Sequence, residues 1–215
     1  MRNLPLLLLC LLLQACSQTQ KGLGESLRLA LFGADDIRMT NGQINNLPYA
    51  SMYLRVNGGQ QIFVVLGYNE NGQQKWITRD KAMLAMEHGR LVKTVGLADN
   101  LNEVSNLQRD PLRDALHLSE GASWSRIVSW TVNGKSRAAT VTSRFIQGQD
   151  EVLQLAGQPV ACRVWYEEVA LAENGASWRN TFWVDASSGQ VRQSQQTLGT
   201  DALSIEATIL KPATS

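Results

Sequence analysis

The sequence predicts a mainly β fold: an antiparallel meander curled into a barrel, a half-barrel or a sandwich, with a short N-terminal helix. Three observations carry this. Asn-Gly occurs five times, at Asn41-Gly42, Asn57-Gly58, Asn71-Gly72, Asn133-Gly134 and Asn174-Gly175, and both residues tolerate the positive φ of a tight hairpin turn. The segments between them alternate apolar and polar residues with the period of two that belongs to strands. Clear helical periodicity is confined to residues 25–32 (ESLRLALF), where Leu27, Ala30 and Leu31 share a face.

Taken in order, Ser51–Val56 meets residues 60–68, which meet residues 73–78 across Asn71-Gly72. Residues 79–87 fit either a short helix after Asp80 or one arm of a hairpin turned at His88-Gly89, with Arg90–Val95 returning. From Gly96 to Ala122 the pattern fades; Asp110-Pro111 reads as a turn and residues 112–118 as one or two helical turns. Residues 124–132 pair with residues 136–146 across Asn133-Gly134, and residues 159–171 pair with residues 177–184 across Asn174-Gly175. Ser188-Gly189 turns the chain into residues 190–198, and residues 203–210 add a last strand.

The alternation also assigns faces. Trp124, Val128, Trp130 and Val132 share one side of their strand, with Arg126 the exception. Further on, Val160, Cys162, Val164 and Tyr166 face one way while Ala161, Trp165, Val169 and Leu171 face the other, the pattern of a strand covered on both sides. A sheet of about ten twisted strands must curl to bury a face and manage its edges, and consecutive hairpins favour up-and-down forms.

The first residues set the compartment. Arg2 precedes an apolar run over residues 4–13, too short for a membrane span of about 20 residues but long enough for the core of a secretory signal. Leu13-Gln14-Ala15-Cys16 then has the form of a bacterial lipobox: an aliphatic residue, a small residue before the scissile bond, and a cysteine to carry the lipid. The expected organisation is a signal peptide over residues 1–15, a lipidated Cys16 with a polar tether over residues 16–24, and one β domain over residues 25–215 held at the outer membrane and facing the periplasm. Ser17, rather than Asp, after the cysteine resembles the pattern of lipoproteins sorted to the outer membrane, and that resemblance implies the same destination. Of three cysteines only Cys162 then remains, so no internal disulfide is available, and its apolar strand context marks it as structural.

Composition excludes several functions. With 20 Lys and Arg against 19 Asp and Glu, and Arg2 in the segment expected to be removed, the mature chain is neutral, which argues against nucleic-acid binding. Two histidines and no ligand-spaced motif give no metal site. There is no GxSxG elbow and no phosphate-cradling glycine loop. Asp35-Asp36 and Glu167-Glu168 are adjacent pairs; on strands such neighbours point to opposite faces and read as solvated surface. No catalytic residue, metal or cofactor beyond the lipid on Cys16 is expected. Of the six tryptophans, all beyond residue 75, most belong to the core. Trp124 and Trp178 each close a Gly-Ala-Ser-Trp tetrapeptide that opens a strand, and these two are the candidates for exposed rings that meet glycan or a partner.

Several segments together carry a resemblance: Asp36-Ile37, Leu47-Pro48-Tyr49-Ala50-Ser51-Met52, the run from Gly89-Arg90 to Gly96-Leu97, and Phe182-Trp183-Val184-Asp185 followed by Gly189-Gln190-Val191. In this order they resemble the YjbF/GfcB family of bacterial lipoproteins. The resemblance implies an accessory role in exporting or assembling a capsule or exopolysaccharide, alongside export components that include an outer-membrane β-barrel-type protein. It supplies no catalytic residues. Tyr49 and Arg90 join Trp124 and Trp178 as candidate contacts for a partner or glycan. Direct glycan or lipid binding is the alternative function, and a polysaccharide-modifying enzyme the third.

Overall fold

The computed structural model describes residues 35–198 and 203–213. The helix expected over residues 25–32, Cys16 and the tether lie outside the described residues. The architecture below is that of the compact unit Ile37–Ser215.

Five strands make the first half: β1 (Ser51–Val56), β2 (Ile62–Glu70), β3 (Gln73–Ile77), β4 (Met83–Glu87) and β5 (Arg90–Val95). The second half holds β6 (Asn100–Val104), β7 (Ser123–Val132), β8 (Lys135–Gln147), β9 (Glu151–Leu155), β10 (Gln158–Leu171), β11 (Ser177–Asp185), β12 (Val191–Leu198) and β13 (Leu203–Lys211). All pairings are antiparallel, and β13 inserts between β1 and β12. Twelve strands therefore follow one another around a ring that runs from β5 through β1 and β13 to β6. At the seam, Thr94 Oγ1 accepts from Leu101 N (2.9 Å) and donates to Asn100 Oδ1 (3.2 Å), so side chains stand in for a ladder and the barrel is nearly closed.

The extra strand β9 continues β8. Gln147 opposes Trp165, Gly148 N donates to Val164 O at 2.8 Å, and Glu151 opposes Cys162. The register slips by one residue across Gln149-Asp150, a bulge of the kind that bends a strand without ending it. Together β8, β9 and β10 make one long hairpin closed at Ala156-Gly157.

Tight turns carry the topology. Asn71-Gly72, His88-Gly89, Asn133-Gly134 and Ala156-Gly157 each place both residues at positive φ, the geometry that matches strand twist. Residues 79–87 take the hairpin reading, with β4 returning as β5. Ala156 tolerates this region poorly and carries no amide cue, so β9 has no signature in the sequence. Asn41-Gly42 is not a hairpin turn but the start of a helix, α1 (Asn41–Asn45). Thr40 Oγ1 accepts from Gln43 N (3.2 Å) and Gln43 Oε1 from Thr40 N (2.8 Å); this reciprocal capping box fixes a helical turn where a dipeptide alone suggests a bend.

The stretch where sequence patterning fades, between β6 and β7, forms two 3₁₀ segments, Leu107–Arg109 and Pro111–His117. The second is a plug. Its Leu112 and Ala115 are buried with Phe145, Trp165, Phe182 and Val184 at one end of the lumen. A larger cluster fills the rest, centred on Met52, Leu54, Trp76, Leu84, Leu101 and Ile205. A third lies on the outer face, where Cys162, Val164 and Trp183 pack with Leu153 and Tyr166. That is the two-sided burial expected of this strand.

Candidate functional site

Four charges meet inside the barrel. Arg90 opens β5, Asp110 sits at the root of the plug, Arg126 points inward from β7 and Glu167 points inward from β10; none is more than 6% exposed. Arg90 holds Asp110 in a bidentate pair, Nε to Oδ2 at 2.8 Å and Nη2 to Oδ1 at 3.1 Å. Its Nη1 donates to Glu167 Oε2 at 2.5 Å. Arg126 Nη2 lies 3.2 Å from Glu167 Oε1, and its Nη1 donates to Ser143 Oγ at 2.9 Å. Asn180 Nδ2 adds a bond to Glu167 Oε2 at 2.8 Å. Both guanidinium groups approach the Trp124 ring, Arg90 at 4.9 Å and Arg126 at 4.2 Å from its centroid, where the π system attracts both cations.

Two positive and two negative charges leave the network neutral, which offsets the large cost of burying each alone. Burial works against the ionised form of Glu167, but the two arginines and Asn180 outweigh it and bring its pKa down to about 2. Burial likewise opposes the charge on Arg90, and Asp110 and Glu167 outweigh it, so its pKa rises. Arg126 has the weaker set of partners. Burial, with some repulsion from Arg90, brings it down to about 10, still cationic at neutral pH. The cavity beside Arg126 and Asn180 measures about 20 Å³, the room of about one water molecule. The network is a filled core with no room for a substrate.

An accessible concavity lies at the plugged end of the barrel. It has a volume of about 390 Å³ and lies among the β2–β3, β4–β5 and β11–β12 turns, the plug and the C-terminal residues Pro212 and Ala213. Met86, Leu116, Val191, Ala207 and Ile209 supply apolar walls; Asn69, Gln74, Gln190 and Gln193 present amides. The turns are seated tightly against the plug: a side chain at Gly189 would come within 2.7 Å of Leu116 Cγ, and one at Gly89 would run into Val191. Asp185 ties the β11–β12 turn, accepting from Ser187 N (2.9 Å) and Ser188 N (3.2 Å).

The candidate contacts fall in different places. Tyr49 is exposed, 47%, ahead of β1. Arg90 and Trp124 are each 3% exposed, members of the ion network rather than surface contacts. Trp178 is half-buried against the lumen core, with its Nε1 enclosed. Both Gly-Ala-Ser-Trp tetrapeptides turn their tryptophans inward, because Gly121 and Gly175, at positive φ, start β7 and β11 in the same phase. Glu167, grouped in the sequence with Glu168 as solvated surface, is fully buried. Its signal was legible: it lies in the inward register between Trp165 and Val169, as Arg126 lies between Trp124 and Val128. Asp110 and Asn180 carried no such signal. Among the described residues no group of three or more His, Cys, Asp or Glu is placed to hold a metal ion, and no helix is long and apolar enough to cross a membrane.

Fold and site define a class: a nearly closed antiparallel barrel with an ion-paired core and a pocket at its plugged end. Comparison with known proteins supplies the family. The family described as group 4 capsule polysaccharide lipoprotein GfcB, YjbF matches residues 24–210, and the chain belongs to it. It is 47% identical to the uncharacterized lipoprotein GfcB of Escherichia coli K12 over 213 residues, 99% of this chain and 100% of that protein. It is 46% identical to the uncharacterized lipoprotein YjbF of the same organism over 213 residues, 99% of both chains. The crystal structure of the hypothetical lipoprotein YmcC from Escherichia coli K12 superposes with a TM-score of 0.79 at 47% identity, covering 88% of this chain and 96% of that one. The protein is thus a membrane-associated, lipid-anchored member of a capsule-polysaccharide family.

Proposed function

We propose that this protein is an accessory subunit for export or assembly of a surface polysaccharide at the outer membrane, lipidated on Cys16, which works by docking an export protein rather than by catalysis. The observation that carries the docking is the free edge of β9. The turn at Ala156-Gly157 pairs Leu155 with Gln158, and alternation from that closing pair aims the peptide groups of Val152 and Gln154 away from β10. Pro159, which lacks an N–H, sits opposite Gln154, the non-bonded position this phase requires. Among the described residues no strand pairs with β9 on its outer side, and Val152, 62% exposed, is the most exposed large hydrophobic side chain. Natural edges are blunted by proline, lysine, a bulge or a cover. β9 carries neither proline nor lysine, and no described strand lies beyond it; its one such device is the bulge at Gln149-Asp150, whereas the β10 edge of the same hairpin has Pro159. An extended segment of a partner would add here as a further strand.

The test is co-purification from native membranes in mild detergent, tagged at the C-terminus, comparing the natural protein with Gln154→Pro. Proline at that position removes one outward N–H and leaves the β9–β10 ladder intact. Stoichiometric recovery of an outer-membrane export protein, lost in the variant, is the expected result. Recovery unchanged by the substitution would remove β9 as the docking edge, and recovery of no partner would remove the docking role itself.

A further inference from the structure

The pocket at the plugged end has a composition that selects a ligand class. Its volume, about 390 Å³, falls in the range of small-molecule sites, roughly 300–1,000 Å³. Two of its charged lining residues are paired with neighbours outside the lining: Arg113 Nη1 with Glu87 Oε1 at 3.1 Å, and Asp114 Oδ1 with His117 Nδ1 at 2.8 Å. Arg113 is the one Arg or Lys among the described lining residues, so a phosphate or carboxylate would have to compete with Glu87 for it, with His88 the other basic group at the wall. The amides are different. Asn69, Gln74 and Gln190 line the pocket and their side-chain groups make no hydrogen bond within the protein among the described residues; Gln193 uses only its Oε1, accepting from Thr208 at 3.4 Å.

Each such amide offers two donors and an acceptor with two lone pairs. Four of them ring apolar walls formed by Met86, Leu116, Val191 and Ile209. Alternating hydroxyl and C–H surfaces are what this arrangement complements: hydroxyls reach the amides, while the C–H faces of the ring lie on the walls. A purely aliphatic ligand would leave the amides without partners, and an anionic one would have to draw Arg113 away from Glu87. The frame is also fixed in advance. Gln196 accepts from Leu91 N (3.0 Å) and donates to Gly89 O (2.9 Å), and Gly89 and Gly189 press their turns on Val191 and Leu116. A preformed site loses little entropy on binding.

We propose that this pocket is a binding subsite for an uncharged saccharide segment, with Gln74 and Gln190 as its principal hydrogen-bonding residues. The inference rests on the proposed function only for the source of the saccharide, the polysaccharide being exported; the site itself is separate from the β9 edge.

The test uses the full lipidated chain in a detergent without a sugar head group. Side-chain NH₂ resonances of Asn69, Gln74, Gln190 and Gln193 are assigned by single substitution and followed by NMR. The probes are cellobiose, lactose, N,N′-diacetylchitobiose, and a partial acid hydrolysate of the surface polysaccharide of the producing cells, each run beside glucuronic acid. At least one neutral probe is expected to shift the Gln74 and Gln190 amides and the Gly89 and Gly189 backbone amides together. Gln74→Leu or Gln190→Leu, with unchanged thermal unfolding, should weaken that binding by about tenfold, 1.4 kcal/mol. No shift with any probe overturns the proposal, as does binding that both leucine variants leave intact, or tighter binding of glucuronic acid than of the neutral sugars. Both variants should still co-purify the export protein. A failed titration with intact co-purification condemns the subsite alone, while lost co-purification in Gln154→Pro with intact titration bears on the docking edge alone.

Discussion

Arg90 Nη1 and Glu167 Oε2 stand 2.5 Å apart across the lumen although 77 residues separate them in the chain. This contact joins the first strand of the seam to the centre of the longest strand. Through Asp110 it also fastens the plug: Arg90 grips Asp110, whose Oδ1 accepts from Leu112 N at 3.1 Å, and Leu112 is the buried foot of the plug. Removing one member strands the others in a water-poor core. Glu167→Gln keeps the shape and deletes the charge, leaving two arginines facing a single aspartate. The expected loss of stability is about 3–5 kcal/mol, the range for breaking a buried pair. Glu168→Gln, one residue away, removes only a half-exposed partner of Arg179 and should cost less than about 1 kcal/mol. Urea unfolding of the two variants measures the contrast, and equal losses would mean that the network contributes little.

The same carboxylate makes stability depend on acid. Its folded pKa, about 2, lies below its ordinary value of 4.5, so the unfolded state binds the proton more readily. The stabilisation is therefore fully present above about pH 4.5 and is lost as pH falls towards 2. The urea midpoint should drop steeply through that window in the natural protein. Glu167→Gln should be flatter there, keeping a residual slope from Asp185, whose carboxyl is also lowered: burial opposes the shift, and the Ser187 and Ser188 bonds and Arg192 prevail. Parallel curves for the two proteins would contradict this assignment.

Two glycines in otherwise equal turns separate backbone strain from close packing. Gly72 and Gly89 both sit near φ +80, but nothing lies near a side chain added at Gly72, whereas one at Gly89 meets Val191. Gly72→Ala should cost about 1–2 kcal/mol, for the left-handed backbone alone. Gly89→Ala adds overpacking, typically about 1–3 kcal/mol more, and should also disturb the pocket wall that Val191 forms. Thermal unfolding of both variants reads the difference.

How far the sequence foretold this molecule depended on where a local signal existed. Asn71-Gly72 and Asn133-Gly134 marked their hairpins because Asn and Gly alone enter the left-handed region cheaply. Asn41-Gly42 misled because Thr40 and Gln43 cap a helix on either side of it. Ala156-Gly157 gave no warning, and with it went β9, the edge on which docking is proposed. The plug was opaque for a different reason: its residues are fixed by contacts with Phe145, Trp165 and Phe182, far along the chain, not by any periodicity of their own. The ion network was half legible. Arg126 and Glu167 broke inward apolar registers, and such exceptions signal buried charge when two of opposite sign exist to meet. Which partner each takes depends on ring closure, which no local pattern contains. The pocket was illegible, since its amides come from β2 and β3 and, far along the chain, from the β11–β12 turn and β12.

The thiol of Cys162 gives an independent check on the outer cluster. It is 2% exposed, it packs with Val164 and Trp183, and burial, with a contribution from Asp185, pushes its pKa up to about 11. At pH 8 roughly a thousandth of it is then thiolate, against about a quarter for an ordinary cysteine, and the thiolate is the reactive form. Under the proposed removal of residues 1–15 and acylation of Cys16, Cys162 is the sole free thiol. Thiol-reactive reagents should therefore label the folded protein at a small fraction of the rate seen in denaturant, with one equivalent taken up on unfolding. Trp183 covers this site and is itself held by Glu151 Oε2 at 2.9 Å through its Nε1. Glu151→Ala should loosen that cover and raise the labelling rate several-fold while leaving the lumen, and with it the acid window of Glu167, unchanged. Rapid labelling of the natural folded protein would show that the outer cluster opens far more readily than its packing implies.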